Sequence, residues 1–351
     1  MSGRKQHYIP QSLLRGFASR TRGPITHTFC FPADGKVFEP NIDGIAAERD
    51  FYSDPTNTLL DDEITRKEHV YGALLNEVRK TPRLTEEMAT AILELIAHLM
   101  ARTRVVRTWM SDGIQKAMDA MLKTVVDPVI VRAGINDYMN PRNPKLLNAI
   151  RDAARERGRD LNRNQLAAYA IQASSEAKRV QAQLVRDFIR TVREAVEFTD
   201  VNANERAAAA HRKAVFTTLN GGNRLDAFRQ LPIYILEFPT QEPLILGDSP
   251  VIQLDRDAKA VGLANWESES GTLALPISGT RAVVLGMQHA DLSARSLNLA
   301  TARSSRKFFV APGPRAVHEA YVSSIGALAD PIAEIDFSRI SEDLMKRRLR
   351  G

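Results

Sequence analysis

The stretch Val180-Gln181-Ala182-Gln183-Leu184-Val185-Arg186-Asp187-Phe188-Ile189-Arg190-Thr191-Val192-Arg193-Glu194-Ala195-Val196 places apolar residues at 180, 184, 185, 188, 189, 192, 195 and 196. Steps of three and four bring them onto one stripe of an α-helix, the face that a packed helix buries. Working outward, helical patterning runs from about Leu59 to Leu219, with breaks at Thr81-Pro82, Asn140-Pro141, Asn143-Pro144 and Gly158. Such breaks divide the run into four to six helices.

Both flanks read differently. After Gly221-Gly222-Asn223, short β-rich runs follow at Ile233–Phe238, Leu244–Leu246, Val251–Leu254, Thr272–Leu275 and Ala282–Met287, separated by Pro and Gly turns. That punctuation suits a mixed or antiparallel sheet. Helices are expected at Leu292–Arg303 and near Val317–Leu328. Upstream, Pro10 ahead of Ser12-Leu13-Leu14, with Gly16 near the end, predicts one or two helical turns. Ile25–Phe31, the turn Ala33-Asp34-Gly35 and Lys36–Phe38 predict a β-hairpin that is a candidate to join the C-terminal sheet. The fold class is therefore α+β, a central helical bundle packed with that sheet. The regions are a segment with a hairpin at 1–58, a helical region at 59–220, an α+β region at 221–337 and a basic tail at 338–351.

The chain has 351 residues, 44% hydrophobic and 26% charged, which excludes disordered, collagen-like and coiled-coil classes. The greasiest run, Ala91–Met100, carries Glu94 and His98, so no membrane span is expected. Pro10, Gln11 and Arg15 interrupt what would be the core of a signal peptide, and the single cysteine, Cys30, permits no internal disulfide. A cytoplasmic protein follows as the expectation.

Net charge is +6, yet residues 1–30 hold Arg4, Lys5, Arg15, Arg20 and Arg22 without an acid, and Lys346, Arg347, Arg348 and Arg350 close the chain. The basicity is terminal, and nucleic acid is the partner it would attract. A second cluster sets Arg142, Lys145, Arg151, Arg155, Arg157, Arg159 and Arg163 against Asp152, Glu156 and Asp160. Its plain reading is a solvated helix face with i,i+4 pairs, and no aromatic interleaves for base stacking.

Dinucleotide, P-loop and zincin motifs are absent from the sequence. Arg206-x-x-x-x-His211 resembles the Arg and His pair of the metal-independent ribonucleases of the HEPN class, in which Arg holds charge and His moves a proton. Gly247-Asp248-Ser249-Pro250 after an apolar strand resembles the serine turn of GDSL-type esterases, without their late Asp-x-x-His. Glu94, His98 and Arg102 share one helix face, whereas Glu63 and Glu68 lie about 140° apart around a helix and form no close carboxylate pair by themselves.

His7-Tyr8-Ile9-Pro10 with Leu14-Arg15-x-Phe17, then Phe51-Tyr52, Glu63, Glu68, Arg102-Thr103 with Arg107, Asp248-Ser249-Pro250 and Pro276-x-Ser278 resemble, in order and spacing, the mainly bacterial domain of unknown function 4238 family. Its Ser-Asp-Asn-Pro is Gly247-Asp248-Ser249-Pro250 here. The resemblance implies no activity, but it singles out His7, Arg15, Glu63, Glu68, Arg102 and Asp248 as polar landmarks. The leading expectation is a phosphodiester hydrolase, a nuclease-type effector of toxins or phage defence. In it His7 carries the proton, Arg15 and Arg102 hold phosphate, Asp248 orients, and Glu63 and Glu68 bind Mg or Mn. The rival is a non-catalytic binding or regulatory protein whose landmarks form a buried network.

Overall fold

A computed structural model describes residues 5–52, 59–200, 203–219, 223–261, 271–287 and 292–329. The basic tail at 338–351 and Arg4 lie outside them. The fold is α+β. Its helices are α1 (Gln11–Leu14), α2 (Leu59–Val78), α3 (Glu86–Arg102), α4 (Arg104–Val125), α5 (Pro128–Tyr138), α6 (Pro144–Glu156), α7 (Arg163–Arg179), α8 (Gln181–Asp200), α9 (Ala203–Leu219), α10 (Asn223–Phe228), α11 (Ala294–Ser304) and α12 (Ala316–Val322). Its strands are β1 (Lys5–His7), β2 (Arg20–Arg22), β3 (Ile25–His27), β4 (Phe29–Pro32), β5 (Ala47–Arg49), β6 (Ile233–Glu237), β7 (Leu246–Gly247), β8 (Ile252–Leu254), β9 (Thr272–Ser278), β10 (Arg281–Leu285) and β11 (Phe308–Ala311).

Eight helices, α2–α9, fill the run read as four to six. Apolar spacing continues across Thr103 and Val180, so the sequence pattern fuses helices that the backbone separates. Thr103 adopts an extended conformation after α3, and its hydroxyl accepts from Val106 N at 3.3 Å to cap α4. Other starts are conventional: Asp127 and Asn143 cap α5 and α6 ahead of Pro128 and Pro144, and Asn162 with Gln165 makes a capping box for α7.

Every strand pairing among the described residues is antiparallel: β6-β10-β9-β8, β4-β11-β7, β1-β5 and β2-β3. The runs expected to form one C-terminal sheet divide between two, and the N-terminal strand β4 joins the smaller, β4-β11-β7, and not the four-stranded β6-β10-β9-β8. Its main partner, though, is β11, which the sequence reading omitted, with Phe31 opposite Phe309 and Val310 opposite Cys30. The Lys36–Phe38 arm of the expected hairpin is reduced to one bridge between Phe38 and Cys30.

The described residues of Met1–Asp112 and Arg206–Glu334 make one compact unit, and those of Gly113–Glu205 another. In the first, one apolar core joins Ile9, Leu13 and Phe17 of the N-terminal segment to Leu75 of α2, Leu95 of α3 and Leu275 of β9, all fully buried. In the second, α5 packs on α8 and α6 on α7. No described helix is long and apolar enough to cross a membrane.

Candidate functional site

Three of the six polar landmarks, His7, Glu68 and Arg102, converge where the N-terminal segment meets α2 and α3. Arg102 ends α3 with its side chain 1% exposed. A guanidinium carries five N–H donors, and a buried one needs acceptors for them. Here Nε donates to Tyr52 Oη at 3.0 Å and Nη1 to His98 Nε2 at 3.4 Å, while Nη2 donates to Glu68 Oε1 and to the carbonyl of His7. Tyr52 Oη in turn donates to the Arg102 carbonyl at 3.0 Å, and the Tyr52 amide donates to Gln6 Oε1 at 2.5 Å. The guanidinium also lies 5.4 Å from the Tyr52 ring centroid.

Burial opposes the charge on Arg102, but Tyr52 and Glu68 outweigh it and hold the group above its ordinary proton affinity. The same burial, reinforced by the charges of Arg102 and Lys67, drives His98 well below the usual histidine range. Because His98 Nε2 accepts from Arg102, its proton sits on Nδ1, which is buried and has no hydrogen-bond partner among the described residues.

His211 completes the far side. Its ring meets Phe51 edge-on at 5.4 Å and stacks on Tyr52 at 6.1 Å, and Nε2 donates to the Ala101 carbonyl at 3.0 Å. Burial lowers it to about 4. Arg206 is exposed while His211 is fully buried, so the pair read as HEPN-like points to different surroundings. Five residues along a helix is about 140°, which explains the separation.

The outer edge of this cluster is His7 and Glu68, both half-buried, with Asp43 exposed beside His7. His7 Nε2 lies 3.3 Å from the Asp43 carbonyl and 3.4 Å from Gln11 Nε2. Burial lowers its proton affinity, partly offset by the charges of Glu68 and Asp43.

The remaining landmarks lie elsewhere. Glu63 pairs with Arg66 one turn along α2, and that contact lowers its carboxyl. Glu63 and Glu68 thus face different arginines, and no three His, Cys, Asp or Glu side chains gather to hold a metal ion among the described residues. Arg15 is exposed on the 3₁₀ turn after α1, and its charge acts on Arg79. Asp248 is fully enclosed beside β7, accepting from the Arg306 amide at 2.7 Å and the Lys307 amide at 2.8 Å. Burial pushes it up to about 6, against the opposing pull of those amides and that of Phe308. Its geometry is that of an anchor for the start of β11. Ser249 is 5% exposed, which withdraws it from the esterase role its turn resembles.

A separate groove of about 590 Å³ lies between α5 and α8, lined by Val131, Ile135, Tyr138, Leu184 and Phe188 among others. It holds none of the landmarks.

Sequence reasoning singled out His211 but in a pair with Arg206 and not in this cluster, and it missed Tyr52 as a hydrogen-bonding centre and Gln6. The available signal was weak: a histidine amid Ala207–Ala210 on a helix predicts burial, with no hint of its partners.

An α+β protein whose N-terminal segment is tied down by one enclosed arginine is the class that this geometry defines. The family described as Protein of unknown function (DUF4238) matches residues 5–299, and the chain belongs to it. No curated protein and no solved structure matches.

Proposed function

We propose that the chain is a non-catalytic binding or regulatory protein in which Arg102, with Glu68, His98, Tyr52 and the His7 carbonyl, forms a buried network that fastens the N-terminal segment to the helical core. The observation that carries this reading is Arg102. Four of its five N–H donors are engaged by protein acceptors and its side chain is 1% exposed, so no donor is presented to a phosphate. Incubating the protein with mixed tRNA, mRNA and plasmid DNA, with magnesium, with manganese and with chelator, is expected to give no cleavage. Deleting residues 1–17 is expected to unfold it. Turnover that disappears in His7→Ala, with the melting temperature kept, overturns the reading.

A second reading, a phosphodiester hydrolase, is supported by His7 alone. Its ring is half-buried, and burial lowers its proton affinity against the opposing charges of Glu68 and Asp43, so a histidine and a carboxylate stand together at the edge of the cluster. The same assay separates the two.

A further inference from the structure

The basic cluster that runs from just before α6 to the first residue of α7 differs from the solvated, internally paired face that such a run ordinarily makes. Arg142, Lys145, Arg155, Arg157, Arg159 and Arg163 are all exposed, with Arg151 half-buried among them. Arg151 bonds only to Asn148, at 2.9 Å, and none of the seven enters an ion pair among the described residues. Asp152, Glu156 and Asp160 lie close by in sequence yet pair with none of them. By contrast, the terminal basicity is partly neutralised: Lys5 holds Asp43 at 2.9 Å and Arg20 holds Glu39 at 3.1 Å.

Helix stability does not account for the arrangement. Arg155, in the last turn of α6, suits the helix dipole, but Arg163 is the first residue of α7, where a cation is disfavoured. Arg151 and Arg155 stand at i and i+4, a like-charge spacing that destabilises a helix. Between the helices, Arg157 is the C-cap residue of α6, and Gly158, at φ +70°, lets the Arg159 amide close back on the Ala154 carbonyl at 2.9 Å. Arg155, Arg157, Arg159 and Arg163 therefore all belong to the turn where α6 ends and α7 begins, and all four are exposed. Arginine, which outnumbers lysine six to one here, presents a planar fork matched to phosphate oxygens.

We infer that the tip of the α6–α7 hairpin is a binding surface for the phosphate backbone of a nucleic acid. With no aromatic side chain between Arg142 and Arg163, the surface takes the backbone and not the bases, so binding is independent of sequence and steeply salt-dependent. The inference stands whether or not His7 carries out chemistry, because it uses none of the residues around Arg102.

The test is fluorescence anisotropy of the full chain with random-sequence duplex RNA and duplex DNA of about 20 base pairs, titrated over salt. Each phosphate neutralised on a duplex contributes a slope of about −0.9 in log affinity against log salt. Arg155→Gln, Arg157→Gln and Arg159→Gln combined are therefore expected to flatten the slope by two to three and to weaken binding at least tenfold at low salt, with the melting temperature unchanged. The corresponding triple lysine variant is expected to restore most of the slope. Absence of binding at low salt overturns the inference, and so does a triple glutamine variant that binds like the parent. Association with phosphatidylglycerol vesicles but not with either duplex also overturns it, because the amphipathic α6 would then be meeting a membrane surface.

Discussion

Arg102 is the residue on which the network turns, and its replacement is the sharpest test at this scale. Arg102→Met removes a charge that four acceptors face, leaving Glu68, the His7 carbonyl, Tyr52 and His98 without their donor. Breaking a buried pair from one side costs about 3–5 kcal/mol, so the urea midpoint should fall sharply. Arg102→Lys should recover little, since one ammonium cannot span acceptors arranged around a planar fork. A loss below about 1 kcal/mol would place the network outside the determinants of stability. Asp248→Ala is expected to be structural as well, orphaning the amides of Arg306 and Lys307 at about 1–3 kcal/mol each. A variant that melted like the parent would return Asp248 to the list of working residues. The sequence exposed half of this site. His98 and Arg102 share a helix face by simple periodicity, and the family landmarks supplied His7 and Glu68, with Tyr52 quoted in a motif but given no polar role. Their meeting was not legible, because contacts that join positions 7, 52, 68, 98 and 211 are set by the packing of α2, α3 and α9, which no local pattern encodes.

Among the elements, the segment from β1 to the turn after α1 depends on close backbone approach. Arg79, in the turn just after α2, reaches under it, Nε donating to the Ile277 carbonyl at 2.8 Å and Nη2 to the Ser12 carbonyl at 2.8 Å. Gly16 leaves room for this: a Cβ there would sit 2.1 Å from the Ile277 carbonyl and 2.7 Å from Arg79 Nη2. Gly16→Ala should therefore force the turn off the end of β9. The expected cost is about 1–3 kcal/mol, the range for overpacking, read as a lower melting temperature. An unchanged melting temperature would show that the turn is not docked on β9. Strands such as β6, β9 and β10 were legible as β-rich runs between Pro and Gly turns. β11 was missed although Phe308-Phe309-Val310-Ala311 is a β-rich run followed by Pro312-Gly313. A run of four residues gives periodicity little to work on, and what makes it a strand is its position between β4 and β7.

Taken whole, the molecule carries opposed titrations, and their sum sets how it responds to acid. His211 sits at about 4 in the fold against 6.5 in an unfolded chain, so its neutral packing contributes fully above pH 6.5 and is lost as the pH falls toward 4. By linkage that is about 3 kcal/mol. His7, His98 and His318 are all lowered by burial and act in the same direction. Asp248 has the opposite sign. Its folded value of about 6 lies above the unfolded 3.8, so its ionised form burdens the fold above pH 6 and the burden lifts as it protonates toward pH 4, again by about 3 kcal/mol. Asp43 and Glu63 are held below their ordinary values and lose their contribution only at still lower pH. Four histidines against one carboxyl predict that the urea midpoint falls between pH 7 and pH 4.5. His211→Gln should shallow that fall, and Asp248→Asn, which removes the compensating protonation, should steepen it. A midpoint that held level in the parent while Asp248→Asn left the profile unchanged would mean that the histidines are protonated without cost, and hence that the cluster around Arg102 admits water.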